Sequence, residues 1–436
     1  MSEQEIPEGW KKGTISDIAE VNPSVSVSHL RQNSLVSFIA MADVSENGRL
    51  INKHDKPLHE VSSGFTRFKE KDTLFAKITP CMENGKGAFA QDLANSHGFG
   101  STEFHVLRAN DYGDPSFLYH LSLSKAVRTK AVAFFTGSAG QQRVDSKFFN
   151  RYPILIPPVS QQRKIARILT TLDELIEKTE ALIAKYQVIK QGLMHDLFTR
   201  GVDEHGQLRP PYEEAPELYK ESELGWIPKE WETKTLNNVV SQSRPIVYGI
   251  LMPGYGHQGG VPVIKVKDIK NGVVDQNNLL LTSPDIDSAY KRSKTITGDL
   301  LFTIRGTVGR TAFVPESLNG ANITQDTARI GVVEGDSRFI RGYLEMPEPN
   351  RFIACHTLGV AVQGINLGDV RRIPVAFPLV DEQKCIGDLL EGYENYIQTE
   401  DRHLAKLKLQ KFGLMHALLT GEVEVTVDNE EITHAR

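Results

Sequence analysis

Two nearly identical decapeptides constrain the fold of this chain more than any other feature of its sequence. GLMHDLFTRG spans residues 192–201 and GLMHALLTGE spans residues 413–422, an offset of 221 positions. At the same offset, IPPVSQQRKIARIL (156–169) aligns with FPLVDEQKCIGDLL (377–390) without a gap. Self-similarity at one fixed offset indicates an internal duplication, so we predict two copies of one structural unit.

Each copy is predicted to be a variable globular block followed by a long helix. Short runs rich in β-branched residues alternate with turn signals such as Asn47-Gly48, and helical patterns such as 115–135 lie between them. That mixture favours an α+β block with mixed or antiparallel strands. We predict a first block at 1–155, a first long helix at 156–200, an acidic connector at 201–226, a second block at 227–376, a second long helix at 377–422 and an acidic tail at 423–436.

The two long helices carry matching apolar stripes with spacings of three and four residues, which is typical of a coiled coil. A helix of about 38 residues is roughly 57 Å long and cannot bury such a stripe alone. We therefore predict an antiparallel coiled coil between the two helices, with a pseudo-twofold relation between the copies. Two separate helices, each packed on its own block, are the alternative. The stripe includes Ile165, Ile168, Leu172, Leu175, Leu182, Tyr186 and Leu193 in the first helix and Ile386, Leu389, Tyr393, Tyr396, Leu407 and Leu414 in the second.

Four glycines and two polar residues mark special positions in these helices. Ser160 and Asp381 are candidate N-caps, and Gly201 and Gly421 stand where helices commonly stop. Gly192 and Gly413 each cost about 1 kcal/mol relative to alanine inside a helix. Their recurrence predicts a backbone surface that another helix approaches closely, either in a partner or at an intramolecular crossing. We therefore add both glycines to the predicted coiled-coil and partner interface.

The sequence offers no convincing catalytic, cofactor or metal motif. GYGHQG (254–259) matches a dinucleotide-binding pattern literally, but a strand-like run follows it where a helix would be needed. The three cysteines lie far apart, which disfavours a disulfide framework or a metal site. No stretch approaches the roughly 18 apolar residues of a membrane span, and the first residues have no leader pattern. We expect a non-catalytic, cytoplasmic protein without a cofactor of its own.

Charge is distributed unevenly, in a way that permits DNA binding. The net charge of the chain is −5, yet residues 227–376 contain 17 basic and 14 acidic residues. Basic and amide side chains near strand ends and turns suit contacts to phosphates and base edges. Solvated surface charge is the alternative for each of them, and the polar segments could simply close the blocks. The candidate DNA contacts are Arg67, Lys69, Lys77, Lys86, Gln142 and Arg143 in the first block and Lys291, Arg292, Arg305, Arg310 and Gln363 in the second.

Taken together, these features resemble the specificity subunit of a Type I restriction–modification system. The likeness covers essentially the whole chain. It rests on two blocks that open with I-P-x-x-W (Trp10 and Trp231), each followed by a helix that begins P-x-V-x-x-Q-(R/K)-x-I and ends G-L-M-H-x-L. The resemblance implies two target-recognition domains that each read one half of a split site in double-stranded DNA. It also implies a helical ruler on which methyltransferase subunits dock, two of them in the expected assembly.

The same resemblance implies a division of labour. A partner methylates adenine with S-adenosylmethionine, and a separate motor-nuclease subunit cleaves with ATP, so neither cofactor is expected on this chain. Three alternatives stay open at the level of sequence. They are the specificity subunit of a related system with a fused methyltransferase–nuclease, a coiled-coil scaffold that binds no nucleic acid, and an autonomous enzyme.

Overall fold

The computed structural model describes residues 6–138, 141–332, 334–360 and 362–426, and the chain forms two compact units. Unit 1 comprises residues 1–181 and 402–436, and unit 2 comprises residues 182–401. Each unit therefore combines one globular block with part of both long helices. No helix in the described part of the chain has both the length and the apolar character needed to cross a membrane.

The block of unit 1 is built from short strands and short helices. Its strands are β1 (Lys11–Thr14), β2 (Ala19–Val21), β3 (Leu35–Ile39), β4 (His54–Pro57), β5 (Thr66–Lys69), β6 (Thr73–Ala76), β7 (Gly87–Phe89), β8 (His97–Gly100), β9 (Phe104–Ala109), β10 (Phe135–Thr136), β11 (Arg143–Val144) and β12 (Pro153–Ile156). Its helices are α1 (Leu58–Val61), α2 (Pro115–Leu123), α3 (Lys125–Ala131) and α4 (Phe148–Arg151), and the first long helix, α5, spans Val159–Thr199.

Two four-stranded sheets form the core of this block. One has the antiparallel order β2–β9–β6–β7, and the other has the order β4–β3–β8–β5 with a parallel β3–β8 pair. All four residues of β6 are buried, and β6 and β9 form the interior of the first sheet. Strands β1 and β12 pair antiparallel and bring the two ends of the block together.

The block of unit 2 repeats this architecture. Its strands are β13 (Tyr219–Ser222), β14 (Gly225–Pro228), β15 (Glu232–Thr235), β16 (Val247–Tyr248), β17 (Val261–Ile264), β18 (Ile269–Lys270), β19 (Val273–Val274), β20 (Leu280–Thr282), β21 (Leu300–Thr303), β22 (Thr311–Phe313), β23 (Asn322–Ile323), β24 (Thr327–Ile330), β25 (Thr357–Leu358), β26 (Gly364–Ile365) and β27 (Pro374–Phe377). Its helices are α6 (Pro284–Ala289), α7 (Ser337–Leu344), α8 (Pro347–His356) and α9 (Leu367–Arg372), and the second long helix, α10, spans Val380–Thr420.

The sheets of the two units correspond, except that unit 2 has no counterpart of β5 among its described residues. The four-stranded order β16–β24–β21–β22 matches β2–β9–β6–β7, and the sheet β20–β17–β23 keeps the parallel pair as β17–β23. Strands β15 and β27 close the block as β1 and β12 do. The predicted α+β class and the internal duplication are therefore confirmed. Unit 2 also contains a hairpin, β13–β14, in the segment expected to be a connector.

The long helices run antiparallel in both units, as predicted. In unit 1 the Lys411 Nζ lies 2.5 Å from Asp173 Oδ1, and Lys408 Nζ lies 2.7 Å from Glu180 Oε1. Residue numbers therefore increase along α5 in the direction in which they decrease along α10. In unit 2 the ammonium of Lys190 lies 2.6 Å from a Glu394 carboxylate oxygen. Lys190 and Glu394 stand 221 positions from Lys411 and Asp173, so the duplication preserves this ion pair in both units.

The apolar residues buried between the two long helices, here called the seam, lie one residue later than predicted at every second predicted position. Leu175, Leu389 and Tyr396 are 41%, 38% and 61% exposed, whereas Leu169, Ile176 and Ile183 are buried. The prediction failed there because α5 places two apolar residues side by side at these points, and spacing alone cannot choose between them. The predicted positions Ile165, Ile386 and Leu407 are buried, and Leu172, Leu182, Tyr186, Leu193, Tyr393 and Leu414 are half-buried.

The two repeated glycines do not contact another helix of this chain. Gly192 and Gly413 are exposed, and a Cβ built on either would meet no atom within 4 Å. An intramolecular crossing at these positions is therefore wrong. What remains of that prediction is a surface open to a partner.

A buried glutamine fixes the start of each long helix. Gln162 and Gln383 are fully buried, and their amide NH2 groups donate to the carbonyl oxygen of the proline five residues earlier, over 2.9 and 2.7 Å. Their side-chain oxygens accept from the backbone N–H of Asp114 and Asp336, the residues that cap α2 and α7. Because a buried amide without partners is costly, these bonds hold helix and block in one orientation.

The helix boundaries correct one prediction and confirm another. Both helices start one residue before Ser160 and Asp381, so these residues lie in the first turn and are not N-caps. Gly201 and Gly421 do follow the helix ends, with φ of +65° and +75°. Each packs on the tryptophan of an I-P-x-x-W segment, Gly201 on Trp231 in unit 2 and Gly421 on Trp10 in unit 1.

Removing the buried cation of the helix pair should destabilise unit 1 selectively. Lys411 and Asp173 are 15% and 17% exposed, so Lys411→Met leaves a mostly buried carboxylate without its partner and should cost about 2 kcal/mol of unfolding free energy. The control is Lys408→Met, whose lysine is 49% exposed and whose loss should cost less than about 1 kcal/mol. Urea unfolding of both variants measures the difference, and equal losses would contradict the assigned role of Lys411.

Replacing each of two glycines of the same decapeptide with alanine should change the free energy of unfolding in opposite directions. Gly201→Ala forces a side chain into left-handed backbone and places its Cβ 2.6 Å from Trp231 Cζ2, so we expect a loss of about 2 kcal/mol. Gly192→Ala adds a Cβ in open space within a helix and should stabilise by about 1 kcal/mol. Thermal and urea unfolding measure both. A destabilising Gly192→Ala would show that this position is constrained within the chain.

Candidate nucleic-acid interface

A short antiparallel ribbon projects from the block of unit 1 beside the end of β6. Strands β10 and β11 form it, and two backbone hydrogen bonds hold it against the block. Val144 N donates to Lys77 O over 2.9 Å, and Thr79 N donates to Gln142 O over 3.0 Å. Lys77 and Gln142, both predicted DNA contacts, are thereby brought to the same edge of the block.

Unit 2 holds the equivalent ribbon in the same way. Strands β25 and β26 pair, Ile365 N donates to Ile304 O over 2.9 Å, and Gly306 N donates to Gln363 O over 2.8 Å. Gln363 is exposed and so is Arg305, which forms a β-bridge with the residue after Gln363. Two of the predicted contacts in this block therefore lie side by side.

A cavity of about 510 Å³ lies next to the ribbon of unit 1 and brings together Arg67 and Lys77. Asn22, Thr66 and His105 also line it. The Arg67 guanidinium donates through Nη2 to a backbone carbonyl of the preceding loop over 2.7 Å, which orients the side chain. One cationic wall and several hydrogen-bonding groups can accept a phosphate or the edge of a base.

His105 and Asn22 form the polar floor of this cavity and were not predicted from the sequence. His105 Nε2 donates to Val144 O over 2.8 Å, and Nδ1 accepts from Asn22 Nδ2 over 3.1 Å. Burial lowers the pKa of His105, which agrees with a neutral ring that donates at one nitrogen and accepts at the other. The pair ties the ribbon to the loop after β2. Because the two residues stand 83 positions apart, no local pattern could have found them.

Three of the other candidates in unit 1 have internal roles or lie elsewhere. Arg143 makes a bidentate pair with Glu103, with Nε and Nη2 within 2.9 Å of its carboxylate, and this hydrogen bonding lowers the pKa of Glu103. The ammonium of Lys86 donates to Met41 O over 3.1 Å. Lys69 stands at the far end of β5, opposite His97. Arg67, Lys77 and Gln142 are therefore the clustered members of the predicted set.

The candidates in unit 2 are likewise divided. Arg310 is exposed, but its Nη1 donates to Ile269 O over 3.2 Å, on the other side of the turn that carries Arg305. Lys291 and Arg292 are exposed in a short turn after α6. Arg305 and Gln363 are the two that the structure brings together.

Buried ion pairs support both candidate surfaces from within. Asp72 is almost fully buried and accepts from Arg108 over 2.6 and 2.8 Å. At the corresponding place in unit 2, Asp299 accepts from Arg244 over 2.5 Å and lies 4.0 Å from Arg329, and burial raises the pKa of its carboxyl. These arginines brace the sheets and do not belong to the candidate interface. The 221-residue offset between Arg108 and Arg329 was a signal that could have identified them.

The described residues contain no group of three or more histidine, cysteine, aspartate or glutamate side chains arranged to hold a metal ion.

Comparison with known proteins finds one family model matched twice along the chain. A family model described as Type I restriction modification DNA specificity domain matches residues 7–186 and again residues 228–409. The Type I restriction enzyme EcoBI specificity subunit from Escherichia coli is 31% identical over 293 residues, 65% of this chain and 60% of that relative. The EcoAI specificity subunit from the same organism is 37% identical over 180 residues, 40% of this chain and 30% of the relative. The alignments thus span less than two thirds of these relatives.

A solved structure shares the fold over nearly the whole length. It is the Type-I restriction-modification system S subunit from M. genitalium, which is 15% identical, with a TM-score of 0.58 and coverage of 98% of this chain and 99% of that one. The two family-model matches together cover well over half of the chain and coincide with its structural repeat. This chain therefore belongs to the family defined by the Type I restriction modification DNA specificity domain.

Proposed function

We propose that this chain is the sequence-recognition subunit of a Type I restriction–modification complex. The block of unit 1 reads one half of a bipartite, asymmetric DNA site, and the block of unit 2 reads the other half. The observation that carries the proposal is the ribbon anchored identically in both units but bearing different side chains. A duplicated scaffold with unlike contact residues suits two readers of unlike sequences.

The clustered side chains support contacts of two kinds. Arg67, Lys77 and Arg305 can neutralise phosphates, and an arginine can also bond a guanine edge through two hydrogen bonds. Gln142 and Gln363 occupy equivalent ribbon positions, and a glutamine amide can bond an adenine edge in the same two-point manner. Recognition at each half-site then depends on a handful of side chains on a ribbon whose base is held by backbone hydrogen bonds.

The paired helices set the distance between the two readers. Each helix has 41 residues, which at 1.5 Å per residue corresponds to about 61 Å, or about 18 base pairs. Half-sites of a few base pairs separated by an unread spacer fit within that length. The antiparallel pairing within each unit supports a fixed distance because the helices cannot slide without breaking the matched lysine–carboxylate pairs.

The proposal assigns catalysis to partners. Methyltransferase subunits, two in the complete assembly, dock on the helices, and the restriction subunits join through the complex. Repetition of an exposed glycine at Gly192 and Gly413 supports two equivalent docking places, because the open backbone there allows a partner helix to approach closely. In this proposal the partners bind S-adenosylmethionine and ATP, and this chain recognises the DNA sequence.

Exchange of one block tests the reading of half-sites. Replacing residues 227–376 with the corresponding block of another family member should change one half of the methylated sequence and leave the other half and the spacer intact. Methylation sequencing of host DNA, with the cognate methyltransferase present, measures the outcome. The matched control is exchange of residues 1–155, which should change the opposite half. A simultaneous change in both halves would refute independent reading.

Bulky residues at the repeated glycines test the docking surface. Gly192→Leu combined with Gly413→Leu should leave the isolated chain folded, because a Cβ at either position meets no atom within 4 Å, and should weaken methyltransferase binding at least tenfold. Lys185→Leu with Lys406→Leu places leucine at another exposed pair of repeat-related helix positions and is the control. Sedimentation velocity with purified methyltransferase measures binding. Unchanged binding of the glycine variant would exclude this surface.

A further inference from the structure

The ribbon of unit 2 carries an unusually apolar tip. Val360 is fully exposed, and Leu358 and Val362 are 74% and 60% exposed. Three branched apolar side chains within five residues are thus presented to water at the end of a β-ribbon. Apolar side chains exposed close together are a common mark of a binding surface.

The tip is held in place at its base. Ile365 and Gly306 make backbone hydrogen bonds of 2.9 and 2.8 Å that fix the second strand of the ribbon against residues 304–306. Gly364 adds a β-bridge to Arg305. The apolar side chains therefore project from an anchored support, with the exposed Arg305 and Gln363 directly beside them.

An apolar tip is not a requirement of the ribbon itself. In unit 1 the equivalent segment presents Thr136 and Gln141 as exposed residues, followed by Gln142 and Arg143. The backbone anchoring is the same in both units, yet the chemistry at the tip differs. Exposed apolar side chains are therefore not needed to anchor the ribbon.

A second apolar loop lies on the same edge of unit 2. Met252 is 82% exposed and Tyr255 is fully exposed. The base of this loop accepts a hydrogen bond from Gln325 N at Ile250 O over 3.0 Å, and the next residue, Asp326, accepts from Arg305 N. The segment 324–326 thus connects the loop to the arginine beside the ribbon and extends the apolar surface.

Double-stranded DNA accounts for this combination of groups. The major groove admits a two-stranded β-ribbon, and the thymine C5-methyl is the apolar group that a base pair presents there. Arg305 and Gln363 supply a cation for phosphate or guanine and an amide for adenine at the flanks of the apolar tip. A protein partner would account for the valines but would leave the arginine–amide pair beside them unexplained.

We propose that Val360 and Val362, between β25 and β26, read thymine methyl groups in the major groove of the second half-site. The inference rests on the proposed function and deepens it, because it names the chemical feature that one of the two readers detects. It follows that the half-site read by unit 2 contains A·T pairs at the positions facing Val360 and Val362, whereas no thymine-methyl contact is assigned to the ribbon of unit 1.

Replacing thymine with deoxyuridine tests this inference because the substitution removes only the methyl group. After the split site has been identified by methylation sequencing, the complex with its methyltransferase is titrated with duplexes that carry uracil at each thymine position of the second half-site. Loss of a contacted methyl should weaken binding about fourfold, as expected for one buried carbon. The same substitution in the first half-site is the control on the DNA side.

Protein variants complete the comparison. Val360→Ser combined with Val362→Ser should bind thymine and uracil duplexes equally, whereas Val273→Ser, which alters a half-exposed valine on another hairpin of unit 2, should keep the fourfold preference. A split site whose uracil forms bind as tightly as the thymine forms, or a second half-site without thymine, would overturn the inference and leave the proposed function intact. Failure to find any split site would instead overturn the proposed function. A loss of methyltransferase binding by the double variant with the preference retained would mark the ribbon as a partner surface and also overturn the inference.

Discussion

Neither long helix of this protein can bury its apolar stripe alone, and the rest of the architecture follows from how that problem is solved. A partly buried lysine–carboxylate pair joins the two helices in each unit, as Lys411–Asp173 and as Lys190–Glu394. The pairing fixes antiparallel direction and register together, since a shift of one residue would bury a charge without its partner. Gln162 and Gln383 then couple the start of each helix to its block. A block is thus oriented by the same polar contacts that define the helix pair.

Much of this fold could be predicted from the sequence, because duplication makes weak patterns reinforce one another. The α+β blocks, the antiparallel helices and the glycines after the helix ends were all predicted correctly. The seam was displaced by one residue where Ile168 and Leu169 stand side by side, because periodicity cannot tell which of two adjacent apolar residues faces the partner helix. Which of the two residues is buried depends on packing against residues that are far away in the sequence.

The candidate interface was less accessible to sequence reasoning for a related reason. The sequence indicated that basic and amide residues cluster near turns, but it could not show that Arg143 is paired with Glu103 or that Lys86 is bound to a backbone carbonyl. His105 and Asn22 were missed because their hydrogen bond spans 83 residues. Val360 was overlooked because only basic and amide side chains were considered as DNA contacts. Only the exposure of its side chain reveals a surface role.

Unit 1 is formed from two separate segments of the chain, and this affects the order in which the units fold during synthesis. Unit 2 is one uninterrupted segment, 182–401, whereas unit 1 draws on residues near both extremes of the chain, with Gly421 seated against Trp10. During translation, unit 2 can complete its contacts while the N-terminal block still lacks the helical segment that covers its apolar face. Loss of the helical segment from residue 402 onward would therefore expose the apolar face of unit 1, whose block is synthesised first, and would leave unit 2 complete.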